Sequence, residues 1–112
     1  MISTQLNDLA EEAYRIAAEH GFWEPVPTVA ESIALMHSEL SEALEEHRDG
    51  RGPAETYYTH LSKPEGIPSE LADVIIRILN FCGRYGIDLD DVLIQKMRYN
   101  DTRPFRHGGR GL

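Results

Sequence analysis

Apolar residues recur at helical spacing in four stretches of this chain, separated by glycine and proline. Leu6, Leu9, Ala10, Ala13, Ile16 and Ala17 predict a first helix from about Ser3 or Thr4 to His20, closed by Gly21. The next segment, Phe22-Trp23-Glu24-Pro25-Val26-Pro27, cannot continue it, because two prolines remove backbone donors and clash with a helical turn. Thr28-Val29-Ala30-Glu31 has the capping-box pattern and opens a second helix. Its core stripe is Ile33, Met36, Leu40, Ala43 and Leu44, and it ends near Asp49-Gly50. Residues 50–67 hold glycine or proline at Gly50, Gly52, Pro53, Pro64 and Gly66 and show neither helical nor strand-like periodicity. A loop is predicted there, and a loop of that length inside a compact domain is usually functional or mobile. Tyr57, Tyr58, His60 and Lys63 are its candidates for reaching a ligand, with chain-to-chain contact or disorder equally open.

A third helix starts at Pro68 or Ser69 and ends at Gly86. Leu71, Val74, Ile75, Ile76, Ile78, Leu79, Phe81 and Cys82 cover most of its circumference, so it should be buried on more than one side. One narrow polar line interrupts them: Glu70 at its head, then Asp73, Arg77, Asn80 and Arg84 at steps of four, three and four. That line either faces water or lines a polar cavity. Asp88 caps a fourth helix, with Asp90 and Asp91 in its first turn where the helix dipole favours them. Leu89, Val92, Leu93 and Met97 form its apolar side, and Pro104 stops it before a flexible, basic end at about 105–112. The fold class is therefore all-α, about four helices in one domain over residues 1–112. One bundle of this size cannot cover the third helix, so self-association as a dimer or dimer of dimers is expected.

Composition narrows the function classes. A hydrophobic share of 41% with 27% charged residues is that of an ordinary globular protein. No apolar run approaches the roughly 20 residues a membrane span needs. Met1-Ile2-Ser3-Thr4-Gln5 has neither a basic nor an apolar leader region, and Cys82 stands alone in an apolar pattern. A cytoplasmic protein with a buried, reduced thiol is expected. The net charge of −8 argues against a nucleic-acid partner. Its distribution is uneven: residues 1–95 hold 18 acids against 6 Lys/Arg, whereas residues 96–112 hold five Lys/Arg against Asp101 alone. An acidic body with a basic end suits a metal and the anion it neutralises, although a solvated tail has the same pattern.

The acids are also grouped. Glu39-Leu40-Ser41-Glu42 and Glu70-Leu71-Ala72-Asp73 each put two carboxylates on one helical face, with Cβ atoms about 5–6 Å apart. Brought together, such charges repel by on the order of 4 kcal/mol per pair at about 4 Å and an effective dielectric near 20. A hard divalent cation reverses that sign. Glu46 shares the face of Glu42, as a further ligand or as a surface acid. Other site types are excluded by spacing. There is no paired Cys/His set for zinc, no glycine-rich loop ending in Gly-Lys-Ser/Thr, and no Glu three residues before any histidine. Acids without histidine favour Mg²⁺, with Mn²⁺ as a substitute. Trp23, the only tryptophan, either plugs the end of the helical core or offers a face on which a base stacks.

The Glu39-x-x-Glu42 pair, a variable loop and then Glu70-x-x-Asp73 resemble the MazG-like, all-α nucleoside triphosphate pyrophosphohydrolases. Lys96-x-x-x-Asn100 followed by Thr102-Arg103-Pro104 is similar to the closing motif of that family, and the resemblance spans roughly residues 28–107. The chain departs from it at Ser38, where the family often has a second glutamate. The resemblance implies a four-helix bundle and Mg²⁺-dependent hydrolysis of a (d)NTP to (d)NMP and pyrophosphate. It implies metal ligation by Glu39, Glu42, Glu70 and Asp73, with Glu39 or Glu42 as general base. Lys96, Asn100, Arg103 and Arg77 would hold the substrate, with Trp23 at the base. The competing expectations are a nucleotide-binding regulator without turnover and a helical interaction module whose acids are solvated faces.

Overall fold

The computed structural model describes residues 5–104. The basic end predicted at 105–112 and the first residues of the predicted first helix lie outside them. Four helices are present: α1 (Leu6–Glu19), α2 (Val29–Arg48), α3 (Ile67–Tyr85) and α4 (Leu89–Asp101). Their ends follow the sequence signals. Thr28 accepts from the Glu31 backbone N–H at 3.0 Å while Glu31 accepts from the Thr28 N–H at 2.8 Å, completing the capping box of α2. Gly86 closes α3 in the left-handed region at φ 63°, and Asp88 caps α4 by accepting from the Asp91 N–H at 3.1 Å.

The segment predicted as a plain loop contains a small antiparallel hairpin, β1 (Tyr57–Thr59) and β2 (Lys63–Glu65), joined through His60–Ser62. Leu61 and Ser62 make its turn at φ 60° and 61°, where glycine or asparagine would be the usual choice. The turn therefore leaves no compositional mark, and strands of three residues are too short to show alternation. Tyr57 anchors the hairpin to α2 by donating to both carboxylate oxygens of Glu46 at 2.6 and 2.8 Å, with the Arg51 guanidinium 3.7 Å from the ring centroid.

α3 is the central helix, packed against α1 on one side and α2 on the other. Ala10, Leu79 and Cys82 form the buried α1–α3 seam, with Leu6, Ala13, Ile78 and Leu89 packed around it. The two backbones touch at Gly83. A Cβ there would collide with the Ala10 carbonyl oxygen and lie 2.7 Å from Tyr14 Cβ. Trp23 closes the end of the seam at 5% exposure, edge-on to Phe22 and Tyr85, so of its two expected roles it takes the plug. Its ring faces are enclosed by side chains, which corrects the expectation that it stacks on a base.

α4 joins the rest at its first turn. The Asp90 carboxylate accepts from the Leu6 and Asn7 backbone N–H groups at 3.1 and 3.2 Å, and the Asn7 side chain returns a bond to Asp88 at 2.8 Å. Asp90 thus caps α1, whose own N-cap residue Gln5 makes no side-chain bond. Beyond that turn Val92 and Met97 stay nearly half exposed, as do Leu40 and Leu44 on α2 and Ile75 and Ile76 on α3. The radius of gyration, 16.5 Å, exceeds the about 13 Å of a compact chain of this length. No helix among the described residues is long and apolar enough to cross a membrane.

Gly83→Ala should cost about 2 kcal/mol of stability, because backbone-to-backbone overpacking outweighs the about 1 kcal/mol gain in helix propensity. Urea denaturation measures this; an unchanged or raised midpoint would show that α1 and α3 do not approach here.

Candidate functional site

The two acidic blocks meet where α2 crosses α3. One carboxylate oxygen each from Glu39, Glu70 and Asp73 lies within 4.8 Å of the others. Glu42 does not join them. It is three residues past Glu39, about 60° round the helix, which leaves it exposed on the flank. Its charge is still felt at Glu70. Glu46, the alternative fifth acid, is taken by Tyr57 and holds the hairpin.

The cluster is electrostatically uncomfortable. Glu70 is held above its ordinary value by partial burial, then by the charges of Asp73, Glu39 and Glu42. Asp73 is raised by burial and by Glu39, while Arg77 and Lys63 pull it back. Arg77, one turn beyond Asp73, donates through Nε to Glu39 Oε1 at 2.9 Å, with side-chain exposures of 31% and 16%. Arg77 therefore acts as a counter-ion within the acid group. Lys63 on β2, paired with Glu65 at 3.6 Å, brings a second positive charge to its edge.

The donor set fits a hard divalent cation. It consists of oxygens only, from three carboxylates, with neither histidine nor cysteine among them. Burial first, and neighbouring carboxylates second, raise the Glu70 and Asp73 carboxyl groups, and a cation would offset the second of these.

Beside the acids, between α1 and α3, opens a cavity of about 620 Å³. Glu39, Asp73 and Arg77 line its polar part, and Leu9, Ala13, Ile16, Ile76 and Leu79 its apolar part. That volume falls within the about 300–1,000 Å³ of small-molecule sites. Of the two meanings open for the polar line on α3, Asp73, Arg77 and Asn80 follow the cavity, since all three line it. Arg84 leaves the line and sits 5.1 Å from the Trp23 ring centroid.

Lys96, Asn100 and Arg103 are not brought to the acids within this chain. They lie on or just after the part of α4 beyond its docked first turn, where Lys96 and Arg103 flank the Tyr99 ring at 5.6 and 5.9 Å. None of the three lines the cavity. Their expected place beside the acids is not formed within a single copy, where α4 meets α1 at its first turn. Lys63 and Asn80 are the residues that sequence reasoning underrated. Lys63 needed the hidden hairpin, whereas Asn80 was marked by its place in the polar line.

No protein-family model, curated protein or solved structure matches the chain. The acid blocks and the Lys96/Asn100 block therefore stand on their own residues.

Ionising Glu70 is disfavoured in the folded chain, so its raised pKa costs stability at neutral pH and costs nothing once both states are protonated. Glu70→Gln should raise the stability of the metal-free protein by on the order of 0.5 kcal/mol at about pH 7, because it removes a carboxylate that is partly buried and faces like charges. The advantage should shrink as pH falls through the raised value and vanish below the ordinary 4.5. Denaturation of both proteins across this range tests the sign; a difference independent of pH would rule out the repulsion.

Proposed function

We propose that the chain is a Mg²⁺-dependent nucleoside triphosphate pyrophosphohydrolase, releasing a monophosphate and pyrophosphate. The observation that carries this reading is the convergence of Glu39, Glu70 and Asp73 at the edge of a cavity large enough for a nucleoside. Mg²⁺ or Mn²⁺, when bound, supplies positive charge for the phosphate oxygens and acidifies a water.

The chain's own residues take the remaining roles. Glu39, Glu70 and Asp73 hold the cation. Glu42, exposed beside them and outside the cluster, accepts the proton of the attacking water, because Glu39 is committed to the cation. Arg77, displaced from Glu39 as the acids turn to the cation, meets the phosphate oxygens with Lys63. The apolar wall of the cavity takes the nucleoside and keeps water from it.

Self-association completes the site in this reading. Leu40 and Leu44 of α2, Ile75 and Ile76 of α3, and Val92 and Met97 of α4 are each about half exposed, and a second copy would cover them. Covering them with a second copy brings the partner's α4, and with it Lys96, Asn100 and Arg103, within reach of a phosphate chain. A second reading, a helical interaction module without chemistry, draws on the Glu39–Arg77 ion pair, which balances part of the acid charge with no cation.

Several outcomes separate these readings. Mg²⁺ or Mn²⁺ should raise Tm in the wild type and not in Asp73→Asn; no rise in the wild type leaves the module standing. Glu42→Gln should lower kcat about 100-fold, within the range for losing a general base. Lys96→Ala should act on kcat/KM and keep the metal-induced rise. Diphosphate and free phosphate as products would refute the assigned reaction. Light scattering should report a dimer or a dimer of dimers, and a folded monomer at micromolar concentration would refute the shared site.

A further inference from the structure

Ser32 is the polar residue that the packing of α2 on α3 leaves unsatisfied. It is 5% exposed, and its hydroxyl oxygen is fully enclosed with no hydrogen-bond partner. No other buried side-chain oxygen or nitrogen among the described residues stands in that state. Such a hydroxyl forfeits the bonds it made to water in the unfolded chain, so a protein interior normally supplies a partner. Ser32 lines a small cavity with Trp23, Arg77 and Asn80, closed by Phe22 and Phe81. At about 10 Å³ that cavity holds one water and nothing larger. A buried water needs about two to four polar neighbours, and Ser32, Arg77 and Asn80 are the groups that line the space.

Two helical turns separate Ser32 from Glu39 on α2, and two separate Asn80 from Asp73 on α3. Ser32 meets Asn80 at the small cavity, and Glu39 meets Asp73 at the acids. Arg77 stands between these levels and lines both the small cavity and the large one. Its Nε donates to Glu39 at 2.9 Å, while its terminal amino groups bond no described residue. We propose that a single buried water occupies the small cavity and joins α2 to α3. It accepts from a terminal N–H of Arg77 and donates to Ser32 Oγ and to Asn80 Oδ1, whose other lone pair takes the Trp23 indole N–H at 2.9 Å. α2 then holds Arg77 twice, directly at Glu39 and through the water at Ser32. Resting on the pyrophosphohydrolase reading, Ser32 is a positioning residue. Once Glu39 is given over to the cation, the water keeps the guanidinium at the cavity wall where the phosphates arrive.

Trp23 supplies the readout, because it is the only tryptophan and its indole N–H lies at the same oxygen of Asn80. In the NMR spectrum of the intact, metal-free protein, that proton should show a water cross-peak with the sign of a long-lived contact. Ser32→Ala should weaken the peak and lower Tm by a few degrees, the loss of about one buried hydrogen bond in a domain of this size. The same variant should speed solvent exchange of the Arg77 Nε–H. The wild-type peak decides alone if the variant does not fold. Absence of that peak would overturn the proposal. So would an unchanged or raised Tm in Ser32→Ala, the result for a hydroxyl that is orphaned or turned back on the Thr28 carbonyl. With Mg²⁺ and a nucleoside triphosphate, Ser32→Ala should lower kcat/KM about tenfold and keep the metal-induced rise in Tm. An unaltered Arg77 signal or an unchanged kcat/KM would overturn the positioning role. A wild-type water peak without turnover removes the reaction and leaves the water site.

Discussion

The contact between Gly83 and the backbone of Ala10 sets the geometry on which the rest depends. It lets α1 and α3 approach at one end of their seam closely enough for main chain to meet main chain. Toward the other end of α3 larger side chains, Ile76 and Arg77, stand along the same face. The helices therefore enclose a cavity rather than a continuous seam. The position of α1 is fixed a second time by Asp90, which reaches across from α4 to cap its first turn. A cap and a glycine thus act together: one fixes the helix end, the other its distance from α3.

That arrangement gives the acids their character. On an isolated helix, Glu70 and Asp73 would be ordinary solvated carboxylates. Against α2 they lose part of their water and gain Glu39 as a neighbour, and both effects raise their affinity for protons. Arg77 offsets part of this from within the same helix. A site held partly neutral by its own arginine can exchange that arginine for a cation at modest cost, since one positive charge replaces another. This exchange is the physical basis of the proposed reaction.

The exposed apolar residues are the other unspent feature. α3 is flanked on two sides and still leaves Leu71, Ile75 and Ile76 more than 40% exposed. α4 is held by one turn and offers Val92 and Met97 to whatever comes next. Among the described residues the buried apolar set is Ala10, Trp23, Ala43, Leu79 and Cys82, a small core for a chain of 112 residues. Burial by a second copy is the proposed cover for these residues and the proposed route by which the basic part of α4 reaches the acids.

How much of this was legible beforehand divides along physical lines. Local rules wrote the helices into the sequence: the 3.6-residue period of the apolar positions, the Thr28/Glu31 box, the Asp88 cap, and Gly86 where the backbone turns left-handed. The facing of Glu39 toward Glu70 and Asp73 was also foreshadowed, because their spacing borders the apolar stripes that must pack. Other features depend on which parts of the chain meet, and no local pattern encodes that. The hairpin was hidden because Leu61 and Ser62 make its turn without a glycine. Glu46 and Glu42 share a face, yet only the position of Tyr57 makes one an anchor while the other stays free. The indole of Trp23 was bound to want a partner, and the packing of α3 chose Asn80 to supply it. Helix periodicity determined which faces would be buried; the crossing of α3 with α1 and α2 decided which polar groups would face one another there.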